Sequence, residues 1–124
     1  MPFPTKYGIE SNIEFRNLLS ENPGVLLIKF GAEWCNPCKK IEEALKHYIA
    51  QLADNVLPVM VDVDESFEVY AYLKNKRMIN GIPAILVYYK GNINYIPDDI
   101  HTGSDLNQLR IFFEKVHQKS KEII

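Results

Sequence analysis

Cysteine is nearly absent from the chain: 124 residues carry only Cys35 and Cys38, with two residues between them. A pair so close in sequence cannot supply the framework of cross-links on which small secreted domains depend, so whatever these thiols do is local chemistry. An excess of one charge is missing too. Fourteen Lys and Arg against sixteen Asp and Glu give a formal net charge of −2, and no basic run forms a stripe able to track phosphates, which sets nucleic acid aside as a partner. Apolar runs such as Val25 to Ile28 and Ala84 to Tyr89 are far too short to cross a bilayer, so no membrane segment is expected. The opening Met1-Pro2-Phe3-Pro4-Thr5-Lys6 lacks the charged-then-apolar order of a secretory signal and is not rich in arginine and serine, which makes the cytoplasm the expected location. Repeats, low-complexity tracts and linkers are lacking as well.

What the chain does have is a hydrophobic fraction of 47%, enough at this length for one domain with a real core. A single domain over 1–124 is expected, with no metal, cofactor or disulfide staple holding it together.

Periodicity places the elements. Ser11 with Glu14 reads as a capping box opening a helix that runs to about Ser20 and ends at Asn22-Pro23-Gly24. Gly24 to Phe30 is apolar at nearly every position, as in a strand buried on both faces of a central sheet. From Asn36 the period becomes helical, with Ile41, Ala44, Leu45, Tyr48, Ile49 and Leu52 on one stripe and Glu42, Glu43, Lys46, His47 and Gln51 opposite. Val56 to Val63 reads as a second buried strand. Asp64-Glu65-Ser66 then starts a shorter helix carrying Phe67, Tyr70 and Leu73. After Gly81-Ile82-Pro83, the segments Ala84 to Lys90 and Ile93 to Ile96 around Gly91-Asn92 predict a hairpin, and Leu106, Leu109, Phe113 and Val116 face inward on a last helix from about Ser104. A short strand near Tyr7 can precede these. The alternation implies an α/β fold with a mixed central sheet of four to five strands flanked by four helices.

The dithiol sits where the buried strand gives way to the long helix. There the first sulfur meets unpaired backbone N–H groups and the positive end of the helix dipole, which lower a thiol's pKa and favour its attack on a disulfide. Cys38, one turn inward, would resolve the resulting mixed disulfide. Pro37 loses no hydrogen bond in the first helical turn and stiffens the small ring. Two competing readings are half a zinc site and two unrelated buried thiols. A structural zinc site wants four ligands in paired clusters, and His47, His101 and His117 show no such pairing; all three read as solvated surface residues.

Three motifs in order, Phe30-Gly31-Ala32-Glu33-Trp34-Cys35-Asn36-Pro37-Cys38-Lys39, then Gly81-Ile82-Pro83-Ala84 before a strand, then Gly103 before the terminal helix, resemble the thioredoxin family over nearly the whole chain. The resemblance implies the thioredoxin fold and a thiol-disulfide oxidoreductase cycling Cys35 and Cys38. It further implies a cis-proline at Pro83 against the dithiol, with the Ile82 backbone pairing to an extended client segment. Trp34 becomes a flat apolar wall beside Cys35, although a bare tryptophan can also be core. Trp34, Ile82, Pro83 and Gly103 then form the surface that meets a client.

Three positions depart from the family's usual pattern. A buried aspartate normally stands where this chain has Lys29, inside an otherwise apolar strand; its usual lysine partner is replaced by Met60, and Asn36 replaces a common glycine. The ammonium of Lys29 is expected to be partly desolvated or to snorkel toward the dithiol end of the sheet. As a cation it would favour a Cys38 thiolate; as a neutral amine it could accept the proton. The segment from Gly91 to Gly103 is longer than usual, and its acidic pair Asp98 and Asp99 reads as a solvated turn rather than a contact.

The expected function is protein-disulfide reduction, passing two electrons from a thioredoxin reductase or other thiol donor to client proteins in support of cell redox homeostasis and electron transport, with the chain a monomer. Isomerases and oxidases of similar fold commonly carry histidine where this chain has Pro37, which favours the reducing direction. A thioredoxin-fold binding module with an idle dithiol is the alternative of a different class.

Overall fold

The computed structural model describes residues 1–123. In chain order they form β1 (Lys6–Tyr7), α1 (Asn12–Ser20), β2 (Val25–Gly31), α2 (Asn36–Ala50), β3 (Val56–Asp62), α3 (Phe67–Asn75), β4 (Ala84–Tyr89), β5 (Asp99–Thr102) and α4 (Leu106–Glu122). The strands make one five-stranded mixed sheet in the order β1-β3-β2-β4-β5. β1, β3 and β2 run parallel, whereas β4 and β5 are antiparallel to their neighbours.

The almost continuous apolar character of β2, interrupted only by Lys29, is explained by its central place, because helices cover both faces of the sheet there. Side chains alternate along a strand, so Leu26, Ile28 and Phe30 enter the layer shared with α1 and α3, where Phe15, Leu19, Val69 and Leu73 are buried. Val25 and Leu27 enter the opposite layer with Ile41, Leu45 and Ile49 of α2 and Leu109, Phe113 and Val116 of α4. Each such side chain contributes roughly 1.5–3 kcal/mol by leaving water. The same alternation puts Lys29 and Gly31 on the face that α2 covers.

Ser11 caps α1 as its sequence implies, its Oγ accepting the Glu14 N–H at 3.1 Å. Two helix faces differ from expectation. Leu106 is 47% exposed while Phe112 takes an inward place, and Phe67 lies on the open side of α3 while Val69 is buried.

The predicted strand Ile93 to Ile96 is instead a loop, and the hairpin partner of β4 is β5, starting at Asp99. Local polar side chains explain this. Asn92 Oδ1 accepts the Asn94 N–H at 2.9 Å and Asn94 Oδ1 accepts the Ile96 N–H at 3.0 Å, so these backbone donors are used within the loop rather than in a ladder.

Two more expectations are corrected in β5. Asp99 is buried and bonded to Tyr89 on β4 and to Lys115 and Lys119 on α4, not a solvated turn residue. His101, expected at the surface, is 5% exposed, with its ring 5.6 Å from that of Phe112 and Nε2 3.0 Å from the Gly103 carbonyl oxygen. Alternation along β5 turns both inward, a pattern masked in the sequence because their neighbours Ile100 and Thr102 are the exposed ones.

Candidate active site

β2 ends at Gly31, and Ala32 to Trp34 carry the chain over the top of the sheet to Cys35, which caps α2. Its backbone is extended there, with φ −87° and ψ 104°, while its carbonyl already accepts the Lys39 N–H at 3.2 Å. The Cys35 Sγ takes the role a serine or aspartate oxygen plays at other helix starts, accepting the Cys38 N–H at 3.2 Å. Pro37 stands in the first turn, where no intrahelical acceptor is available for an N–H. Cys38 begins the buried stripe continued by Ile41, Leu45 and Ile49, and it is joined to Cys35 as a disulfide with their Cα atoms 5.3 Å apart. Both cysteines are 4% exposed, so position rather than exposure separates their roles.

The rim brings together residues far apart in sequence. The Ile82-Pro83 peptide bond is cis, and the Ile82 carbonyl oxygen lies 3.8 Å from Cys35 Sγ. Gly103 is fixed beside them, its N–H donating to the Pro83 carbonyl at 2.9 Å from a left-handed backbone (φ +98°) that favours glycine. Trp34 is not core: it is 66% exposed, and its indole N–H donates to Asp64 Oδ2 at 2.8 Å. In the sequence Asp64 reads only as part of a helix start, and nothing local ties it to Trp34, 30 residues earlier.

Behind the dithiol a groove of about 690 Å³ exposes Lys29, Gly31, Cys38, Glu42, Met60 and Asp62 among its lining residues. Burial pushes the Lys29 ammonium below its ordinary 10.5, while Glu42 and Asp62 act in the opposite direction. Lys29 faces Met60 across the β2–β3 ladder, as the strand patterns imply, and Gly31 faces Asp62. Gly31, Glu42 and Asp62 were not singled out from sequence. A signal for two of them exists in the spacing: Gly31 is two residues from Lys29 on the same strand face, and Glu42 is one helical turn from Cys38. Among the described residues no group of three or more His, Cys, Asp or Glu is arranged to hold a metal ion, and no helix is long and apolar enough to cross a membrane.

The thioredoxin family model matches residues 7–115. Thioredoxin 1 of Plasmodium falciparum is 35% identical over 88 residues, covering 68% of this chain and 75% of that protein. The thioredoxin of Bacillus subtilis is 36% identical over 70 residues, covering 56% of this chain and 64% of its own. Among solved structures, Malassezia sympodialis thioredoxin superposes with a TM-score of 0.68 at 25% identity, over 94% of this chain and 96% of that one.

Proposed function

The chain belongs to the thioredoxin family, and from that premise we propose how its residues divide the work of a protein-disulfide reductase. Cys35, as a thiolate held by the Cys38 N–H and the opening turn of α2, attacks one sulfur of a client disulfide. The Cys35–client bond forms as the client S–S bond breaks, and the departing client thiolate takes a proton from water. Cys38, as a thiolate, then attacks Cys35 Sγ; the Cys35–Cys38 bond forms, the second client sulfur leaves, and two electrons have passed to the client. A thiol donor, which we take to be a thioredoxin reductase acting on a monomer, returns them.

The geometry that carries this reading is the cap: one sulfur receives a backbone N–H at a helix start while bonded to a second sulfur one turn further in. Helix-start donors and the helix dipole favour a negative sulfur at Cys35 over one deeper in the helix. Trp34, Ile82, Pro83 and Gly103 supply the client surface, with the Ile82 backbone offered to an extended client segment. Pro37 supports the reducing direction, standing where a histidine would stabilise the reduced form.

Insulin reduction with dithiothreitol as electron donor tests the assignment. The unmodified protein should accelerate insulin precipitation, and Cys35→Ser should return it to the donor-only rate. Equal turnover by Cys35→Ser, or none by the unmodified protein, would contradict the proposal.

A further inference from the structure

The notch beside Gly31 is shared by an amine and a sulfur. A Cβ built on Gly31 would lie 2.7 Å from Lys29 Nζ, 3.0 Å from Lys29 Cε and 3.4 Å from Cys38 Sγ. Glycine therefore leaves open the space that the ammonium occupies. The first and last of these distances place the nitrogen within about 6 Å of the sulfur, the range over which an opposite charge moves a titration.

The other charged and titratable groups of the groove are mostly acidic. Lys39 and Glu42 come from α2, Asp62 from the end of β3, Glu65 from the turn after it, Glu33 from the loop before α2, and Tyr7 from β1. Without Lys29, a negative sulfur at Cys38 would face four carboxylates and one lysine.

Resting on the reductase reading above, we propose that Lys29 is a positioning residue for the resolving step: its ammonium, seated in the notch left by Gly31, holds negative charge on Cys38 during attack on Cys35. The Cys38 proton leaves through the open groove to water. Lys29 keeps its own proton throughout, so nothing is transferred to it. Cys38 Sγ then bonds to Cys35 Sγ as the client sulfur departs. The depressed titration of Lys29 agrees with its partial burial in this notch.

The test isolates Cys38 in a Cys35→Ser background, where it is the sole thiol, and follows thiolate ultraviolet absorbance against pH. Lys29→Met should move the Cys38 midpoint upward by about one pH unit, at the lower end of the shifts produced by an adjacent opposite charge. Lys29→Arg, which restores charge but cannot act as a proton acceptor, should leave the midpoint in place. Gly31→Ala should raise it by less, because the added Cβ displaces the ammonium. An unchanged midpoint in Lys29→Met, or an equal rise in Lys29→Arg, would overturn the proposal.

Kinetics with the neutral probe dithiodipyridine separate this failure from that of the parent reading. The first pyridinethione released reports attack by Cys35 and the second reports resolution by Cys38. At neutral pH, Lys29→Met should slow the second release relative to the first by about tenfold, the rate equivalent of one pH unit of thiolate. A ratio equal to that of the unmodified protein would overturn the role of Lys29. Loss of the first release in the unmodified protein would instead remove the reductase reading on which that role rests.

Discussion

Asp99 and Lys29 are charged side chains on strands of one sheet, and their surroundings differ in kind. The Asp99 side chain is 7% exposed yet fully engaged: Lys115 Nζ lies 2.7 Å from Oδ1, while Tyr89 Oη at 2.7 Å and Lys119 Nζ at 3.1 Å donate to Oδ2. Burial alone would push its carboxyl upward, but the hydrogen bonds from Lys115, Tyr89 and Lys119 outweigh that and hold it below 3.8. Lys29, among the described residues, has no carboxylate within 4.0 Å, and burial lowers it against the weaker pull of Glu42 and Asp62. A charge whose partners are supplied by the fold ties elements together, here β5 to β4 and α4. A charge left without a direct partner stays available to a neighbour whose own charge changes during the reaction, here Cys38.

Removing the Asp99 carboxylate should have the largest effect on stability. Asp99→Ala is expected to lose about 1–3 kcal/mol in urea unfolding, since it strands the Tyr89 hydroxyl and releases two lysines whose exposed ends regain water. A loss below 0.5 kcal/mol, a bound set by the weakest ordinary hydrogen bonds at about that size, would mean that the cluster is decorative. The same contrast can be read through pH. Asp99 titrates lower in the folded chain than in the unfolded one, so its contribution is present above pH 3.8 and is lost as pH falls through its folded pKa.

Lys29 has the opposite sign. Its folded pKa lies below 10.5, so the charged form costs stability at neutral pH and the cost fades as pH rises through the folded value toward 10.5. Lys29→Met should therefore raise the thermal midpoint at neutral pH, with a gain that shrinks in alkali, even as it slows resolution. A lower midpoint at neutral pH would place Lys29 with Asp99 as a structural charge. Smallest is Lys119→Met, expected to cost about 0.5 kcal/mol or less because Lys115 remains on Asp99 and the lost pair is partly exposed.

Much of this arrangement is legible in the sequence. The uninterrupted apolar run from Val25 to Ile28 announces the central strand, and Cys38 followed by Ile41, Leu45 and Ile49 announces which cysteine faces inward. The client rim could be expected only through family resemblance, because Ile82, Pro83 and Gly103 meet the dithiol by long-range strand pairing. The local sequence hides the role of Asp99 because two of its three partners arrive 16 and 20 residues later, on a helix whose rotation the local pattern does not define, and the third, Tyr89, is brought near by the strand pairing. The spacing of Gly31 from Lys29 puts both on one strand face, but what Gly31 contributes is an empty space, visible only once Lys29 and Cys38 are placed around it.

The central claim, that Cys35 captures the client and Cys38 releases it, is tested most directly by trapping. Reduced Cys38→Ser protein mixed with a disulfide-linked peptide should form a persistent one-to-one adduct that peptide mapping by mass spectrometry places on Cys35, whereas the dithiol protein should release both peptide thiols. An absent adduct, or one formed equally well on Cys38 in Cys35→Ser protein, would contradict the assigned order of attack.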